Sequence, residues 1–217
     1  NRNPAKAQHI MERGMQQFRH ISSYRMYYAH LLFDYRIDLD KANFHYRWAI
    51  RLDPGNGRAK ANYAPFLIQN NNYIKDMNPE QLLLEAIKID SVDMNSIVNL
   101  SGYLFSIGRD GDAKNWLHRA RRYPLSDINC LEADFYELAH LYERGKEAAL
   151  LRRIGKNLKN GIKPHNYLYK DNASVARGAN PKDHPLGDLI SDLASILEGT
   201  LNVTHLESHP HFHWIFT

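Results

Sequence analysis

The feature that most constrains this chain is a short pattern of small and large apolar residues that recurs along its first two thirds. In three copies a small residue is followed three positions later by leucine. The small residues of these copies are Ala29, Ala64 and Ser101, about 35 and 37 residues apart, and a weaker fourth copy is centred on Ala139. A period of this length is typical of an array whose unit is a pair of helices.

A second helical pattern follows the first in the clearest copies, and each ends near a proline. The positions are Ala42, Tyr46 and Ala49 before Pro54, and Ala113, Leu117 and Ala120 before Pro124. Large and small side chains that alternate at helical spacing allow one helix to interlock with its neighbour. Proline cannot continue a helix, because it lacks the backbone N–H. The sequence therefore predicts helix pairs separated by turns.

These positions resemble the tetratricopeptide repeat family, over roughly residues 24–160. The resemblance is strong in copies one and three and weaker in copy two, where Ser91 stands in place of proline. It implies an all-α fold, a right-handed superhelical solenoid of about four antiparallel helix pairs with terminal capping helices. The pairs are expected at 23–56, 57–94, 95–128 and 129–160.

The flanking segments complete the expected organisation. Residues 1–22 are expected to form a helix that packs on the first pair. The first helix of that pair is expected to begin near Ser22 and Ser23, with these serines as candidate N-caps. Residues 161–199 are expected to form an ordered loop with one helical turn, to about residue 183, and then an amphipathic capping helix ended by Gly199. Residues 200–217 form a tail rich in histidine and aromatic residues.

The resemblance implies that the first helices line a concave groove that binds a peptide. The residues assigned to this groove by the repeat register are Tyr27, His30, Phe33, Asn62, Ile68, Asn99, Phe105 and His140. Asn62 and Asn99 occupy the same position in successive copies, and an amide can both donate to and accept from a peptide backbone. The alternative is that these asparagines only cap or solvate their helices.

Motifs for chemistry are absent from the sequence. It holds no G-x-x-x-x-G-K-[ST], G-x-G-x-x-G, G-x-S-x-G, H-E-x-x-H or C-x-x-C, so no catalytic residue, cofactor or enzyme activity is predicted. Glu137 and His140 lie one helical turn apart, which alone is weak support for catalysis. His209, His211 and His213 would share one face of an extended tail, but Pro210 interrupts them and no metal site is predicted.

Charge and hydropathy restrict the kinds of partner that the chain is expected to bind. Lys and Arg dominate residues 144–163, which indicates either a surface for an acidic partner or a solvated helix face. Aromatic residues are not interleaved with them, which argues against nucleic acid. No apolar run approaches the ~18 residues of a membrane span. The single cysteine fits a reducing compartment, so the expected location is cytoplasmic.

The leading hypothesis is a non-catalytic scaffold or adaptor that binds an extended peptide or a helix of a partner protein. One alternative is a dedicated secretion chaperone or a toxin-immunity partner. Another is the regulatory or targeting domain of a larger enzyme whose catalytic part precedes Asn1. In the tail, Phe212, Trp214 and Phe216 should pack on the last helix or insert into a second copy, which would make a homodimer.

Overall fold

The protein is all-helical in the computed structural model, and no strand occurs in the residues it describes. These residues are 3–70, 77–162, 169–179 (backbone only from 176) and 185–213. They form two compact units, Asn1–Ser96 and Ile97–Thr217, and the boundary falls within a helix, α6.

Most of the helices pack in adjacent pairs. Their bounds are α1 Pro4–Phe18, α2 Ser22–Asp34, α3 Leu39–Leu52, α4 Gly57–Gln69, α5 Pro79–Ile89, α6 Met94–Ser106, α7 Asp110–Ala120, α8 Asp127–His140, α9 Glu147–Lys159, α10 Tyr169–Ala179 and α11 Gly187–Leu197. A 3₁₀-helix covers Val203–Ser208. None of these helices is long and apolar enough to cross a lipid bilayer.

The first unit packs as two stacked helix pairs. α2 lies against α3, α4 lies against α5, and α4 also contacts both α2 and α3. The small residues Ala29 and Ala64 are fully buried, which allows this close approach. The rings of Tyr46, Tyr63 and Phe66 fill the space between the pairs, with centroids 5.3 Å apart for Tyr46 and Tyr63.

α1 packs on the first pair, as predicted, but largely through polar contacts. Asn3 caps the helix by accepting from the backbone N–H of Lys6, and none of its residues is buried. Glu12 Oε1 accepts from Tyr28 Oη at 2.9 Å and from Lys41 Nζ at 2.8 Å. These contacts tie α1 to both α2 and α3 of the first pair.

One predicted cap is wrong, although the helix begins where expected. Ser22 is the first residue of α2 and Ile21 is its N-cap, without a side-chain hydrogen bond. The Ser22 hydroxyl instead donates to the carbonyl of Ala49 at 2.8 Å and accepts from Asn56 Nδ2 at 2.8 Å. It therefore joins the start of α2 to the end of α3.

In the second unit α8 packs on α9, α10 packs on α11, and α8 also contacts both α10 and α11. The small residues Ser101 and Ala139 are buried, as predicted. Gly102 lies against the ring of Tyr136, where an added Cβ would be 2.4 Å from the tyrosine oxygen. Glycine at this position therefore makes room for a fully buried aromatic ring.

The loop predicted over residues 161–183 is wrong for residues 169–179, which form the 11-residue helix α10. Among its side chains up to residue 175, those of Tyr169, Asn172 and Ala173 are buried, at the spacing of one helical face. The remaining residues of α10 are mostly polar or small, so the helix cannot be recognised from its hydrophobic pattern. It belongs to the core of the second unit.

The capping helix α11 agrees with the prediction, and the tail differs from it. Leu189, Ile190 and Leu193 are buried, and Gly199 adopts a φ of +75° just past the helix end. The tail folds into the 3₁₀-helix and a turn, so its histidines do not alternate along an extended strand. Phe212 is fully buried, while Trp214 and Phe216 lie outside the described residues.

Candidate ligand-binding pocket

The structure places the predicted groove residues of the first unit at mixed depths. Tyr27 is 51% exposed, and Asn62 and Ile68 are half-buried. The His30 side chain is partly exposed and lies 3.3 Å from Asp34 through Nε2. Phe33 is different, because it is buried and its ring packs edge-on against Phe66.

The predicted groove residues of the second unit are not on an open surface. Asn99 is 6% exposed and Phe105 is fully buried. The imidazole of His140 is 2% exposed and stacks on Phe105 with centroids 4.4 Å apart. The burial of all three differs from the exposure expected of groove residues.

A residue that the sequence pattern did not reveal explains the position of His140. His140 Nε2 and Asn172 Oδ1 are 2.9 Å apart, and Asn172 Nδ2 donates to the carbonyl of Gly102 at 3.2 Å. Asn172 lies on α10, so α10 covers the surface that the repeat register assigned to a ligand. The i, i+3, i+4 spacing of Tyr169, Asn172 and Ala173 was the signal available in the sequence.

An open pocket lies nearby in the second unit, among α7, α8, α9 and the loop between α8 and α9. Its volume is about 650 Å³, within the range of small-ligand sites. The residues that line it are Lys114, His118, Glu137, His140, Leu141, Tyr142, Glu143, Gly145, Lys146, Ala149, Leu150 and Arg153. We call it the α7–α9 pocket.

The wall formed by α8 and α9 is fixed by a buried ionic cluster. Asp134 is fully buried and accepts from Arg153 Nη2 at 2.8 Å and from Arg121 Nη2 at 2.5 Å. Arg121 Nε also donates to Glu137 at 3.0 Å. The hydrogen bonds that Arg153 donates to Asp134 raise the pKa of Arg153, so this guanidinium remains charged at the pocket wall.

The other charged groups of the pocket divide into paired and unpaired ones. Lys146 pairs with Glu143, and this hydrogen bond lowers the pKa of the Glu143 carboxyl. Lys114 and His118, both exposed on α7, make no ion pair with any described residue. The two side chains are four residues apart, which places them on one face of the helix. The pocket therefore combines the positive charge of Lys114, which also helps to lower the pKa of Glu143, with the apolar surface of Leu141, Ala149 and Leu150.

A buried carboxylate lies elsewhere in the second unit. Glu132 Oε1 accepts from Tyr169 Oη at 2.6 Å, and its Oε2 makes no hydrogen bond with the described residues. Burial raises the pKa of Glu132 to about 7. Burial also raises the pKa of Tyr136 and Tyr169 well above 10, so both phenols stay neutral. This group belongs to the contact between α8 and α10.

Two of the tail histidines lie near the carboxylate of Asp192. His205 Nε2 is 3.2 Å from Asp192 Oδ2, and His209 Nε2 is 4.0 Å from the same oxygen. Within the part of the chain that the structure describes, no group of three His, Cys, Asp or Glu side chains is placed to hold a metal ion.

Comparison with known proteins adds no assignment. No protein-family model matches the chain, and no curated protein matches it. The functional argument therefore depends on the geometry and charge of this chain alone.

Proposed function

We propose that this protein is a non-catalytic interaction scaffold, built from tetratricopeptide-like helix pairs, that binds an acidic segment of a partner protein. The observation that supports this most is the α7–α9 pocket, where the exposed side chains of Lys114 and His118 make no ion pair with a described residue and Arg153 adds a further cation. The single cysteine of the chain is consistent with a cytoplasmic setting.

The chemistry of the pocket favours a carboxylate on an apolar stem. Lys114 supplies a compact positive charge with three donors, and His118 adds a ring N–H donor. Arg153, held by Asp134, presents a further cation at the α9 wall. Leu141 and Leu150 would contact the methylene groups of a glutamate side chain or the last residue of a peptide. An anionic partner also gains from long-range attraction to a chain with a formal net charge of +4.

The predicted groove residues differ in what they can offer a ligand. Tyr27, His30, Asn62 and Ile68 retain surface in the first unit. In the second unit Phe105 is buried, whereas His140, which contacts Asn172 of α10, also lines the α7–α9 pocket. A peptide that binds the pocket therefore contacts the part of the predicted groove that α8 contributes.

Selection of displayed random peptides on the immobilised whole chain tests this proposal. We expect the selected sequences to be enriched in Asp and Glu, and their binding to weaken roughly tenfold or more in Lys114→Glu, because the substitution places a like charge in the site. Lys156→Glu, an equal charge change on the exposed side of α9, is the matched control. Selected peptides without acidic enrichment, or equal binding by Lys114→Glu and Lys156→Glu, would contradict the proposal.

A further inference from the structure

The helix α3 has two apolar faces, although its packing in the first unit needs only one. The inner face contributes Ala42, Tyr46 and Ala49 to the core, where all three are fully buried. The outer face carries a row of large apolar side chains four residues apart, which places them on one line along the helix. These residues are Phe44, Trp48 and Leu52.

The outer row remains accessible to solvent. Phe44 is 51% exposed and Leu52 is 39% exposed, while Trp48 is half-buried. The rings of Phe44 and Trp48 lie next to each other, with centroids 6.1 Å apart. Adjacent large apolar groups on the surface mark interaction sites more often than isolated ones do.

Two arginines flank the row. The guanidinium carbon of Arg25 lies 5.3 Å from the centroid of the Trp48 ring, and that of Arg51 lies 5.8 Å from it. Both distances are within the range of cation–π attraction, which holds the two cations at the edge of the apolar surface.

The guanidinium of Arg25 donates its side-chain hydrogen bonds to neutral groups. Its Nε donates to the carbonyl of Arg19, and its Nη1 donates to His45 Nδ1 at 3.1 Å. Burial, with the charge of Arg25 and Lys41 adding to it, lowers the pKa of His45 to about 4, so this imidazole is neutral at pH 7. Neither Arg25 nor Arg51 pairs with a carboxylate in the described residues, and the surface therefore keeps two uncompensated cations.

We infer that the outer face of α3 and the two arginines beside it form a second interaction surface, which binds an acidic segment of a partner protein. The partner would place an apolar side chain against Phe44 and Trp48 and carboxylates against Arg25 and Arg51. Protein–protein interfaces are enriched in aromatic residues and arginine, and these residues contribute much of the binding energy. The surface lies in the first unit and shares no residue with the α7–α9 pocket.

The geometry favours a protein segment over single-stranded nucleic acid. Base stacking requires an open aromatic face, and the guanidinium groups already lie over the Trp48 ring. The rings of Phe44 and Trp48 are inclined by 58°, so they do not present parallel platforms for successive bases. Carboxylates, in contrast, can accept paired hydrogen bonds from a guanidinium at the rim.

The test uses the whole chain with Lys114→Glu, so that the α7–α9 pocket does not compete for an acidic probe. Three fluorescein-labelled probes are titrated by fluorescence polarisation: a decapeptide of alternating Asp and Leu, its Lys and Leu counterpart, and a dodecamer of thymidylate. We expect the acidic peptide to bind most tightly. Its affinity should fall roughly fivefold or more in both Arg51→Glu and Phe44→Ala, because each removes one part of the contact.

Lys88→Glu is the matched control, since it makes the same charge change on the exposed side of α5 in the same unit. It should change the affinity by less than about twofold. Circular dichroism confirms that each variant is folded. Unchanged binding of the acidic peptide to folded Arg51→Glu and Phe44→Ala overturns the inference, and so does tighter binding of thymidylate that Arg51→Glu abolishes. The two proposals can fail separately. The pocket proposal fails if Lys114→Glu does not alter the binding of the selected peptides. The surface on α3 is tested only by Arg51→Glu and Phe44→Ala.

Discussion

The ring of His140 stacks on the ring of Phe105 with the two planes inclined by 15°. Asn172 from α10 completes the contact through the hydrogen-bonding distance of 2.9 Å between its Oδ1 and His140 Nε2. Both rings were expected to face a ligand, and in the folded chain they face each other. The second unit therefore uses part of its repeat surface to bind its own helix α10.

Gly102 provides the first stability test of this packing. A Cβ at this position would be 2.4 Å from Tyr136 Oη and 2.5 Å from its Cζ, and Tyr136 is fully buried. We expect Gly102→Ala to lower the free energy of unfolding by about 1–3 kcal/mol, since the ring must shift in a filled core. Urea denaturation measures the change. Gly111→Ala is the control, because a Cβ there meets nothing within 4 Å, and an equal loss in both variants would contradict the packing argument.

Glu132 makes stability depend on pH in a defined window. Its pKa is raised from 4.5 to about 7 in the folded chain, chiefly by burial. The folded state therefore binds the proton more tightly than the unfolded state, so stability falls as pH rises from about 4.5 to about 7 and is level above that. The whole effect is on the order of 3 kcal/mol.

The variant Glu132→Gln isolates this contribution, because an amide does not titrate. We expect the difference in unfolding free energy between Glu132→Gln and the parent to grow in favour of the variant from pH 4.5 to pH 7. Urea denaturation at several pH values measures it, and using the difference removes the contributions of other groups such as His45. A difference that does not vary over this window would show that Glu132 is ionised in the folded chain.

Asp134 is predicted to be essential for the wall of the α7–α9 pocket. It is fully buried between Arg121 and Arg153, and Asp134→Ala would leave two guanidinium groups without their shared partner. We expect a loss of about 2–3 kcal/mol in the free energy of unfolding, because the guanidinium groups left behind, with side chains 25% and 50% exposed, keep access to water. Asp112→Ala, which breaks an exposed pair with Arg109, should cost at most about 1 kcal/mol. Similar losses in the two variants would contradict the buried-cluster account.

The helix pairs and their contacts could be predicted because they depend on local periodicity. Ala29, Ala64 and Ser101 are fully buried where the pattern placed them, and α11 ends before Gly199 as its stripe indicated. Such positions are fixed by spacing along one helix, which a single sequence displays directly.

The binding surfaces were harder to predict because they depend on what covers each helix face. The repeat register puts His140 on the first helix of its pair but does not show that α10 packs on it. α10 itself was missed, since Tyr169 and Ala173 are its main buried apolar groups and Asn172 is polar. The α7–α9 pocket draws residues from three helices, and the sequence indicated only its parts: the pair Glu137 and His140, and the basic segment that includes Arg153.

The central claim is that an acidic peptide binds in the α7–α9 pocket. The most direct test compares the effect on binding of substitutions in the pocket with that of a substitution in the predicted groove of the first unit. One acidic peptide from the display selection is titrated by calorimetry into the whole chain, the double variant Lys114→Glu with His118→Glu, and Asn62→Ala. We expect the double variant to lose roughly tenfold or more in affinity while Asn62→Ala stays within about twofold, because the acidic peptide binds at α7. If Asn62→Ala weakens binding and the folded double variant binds like the parent, the ligand occupies the groove of the first unit and the pocket assignment is wrong.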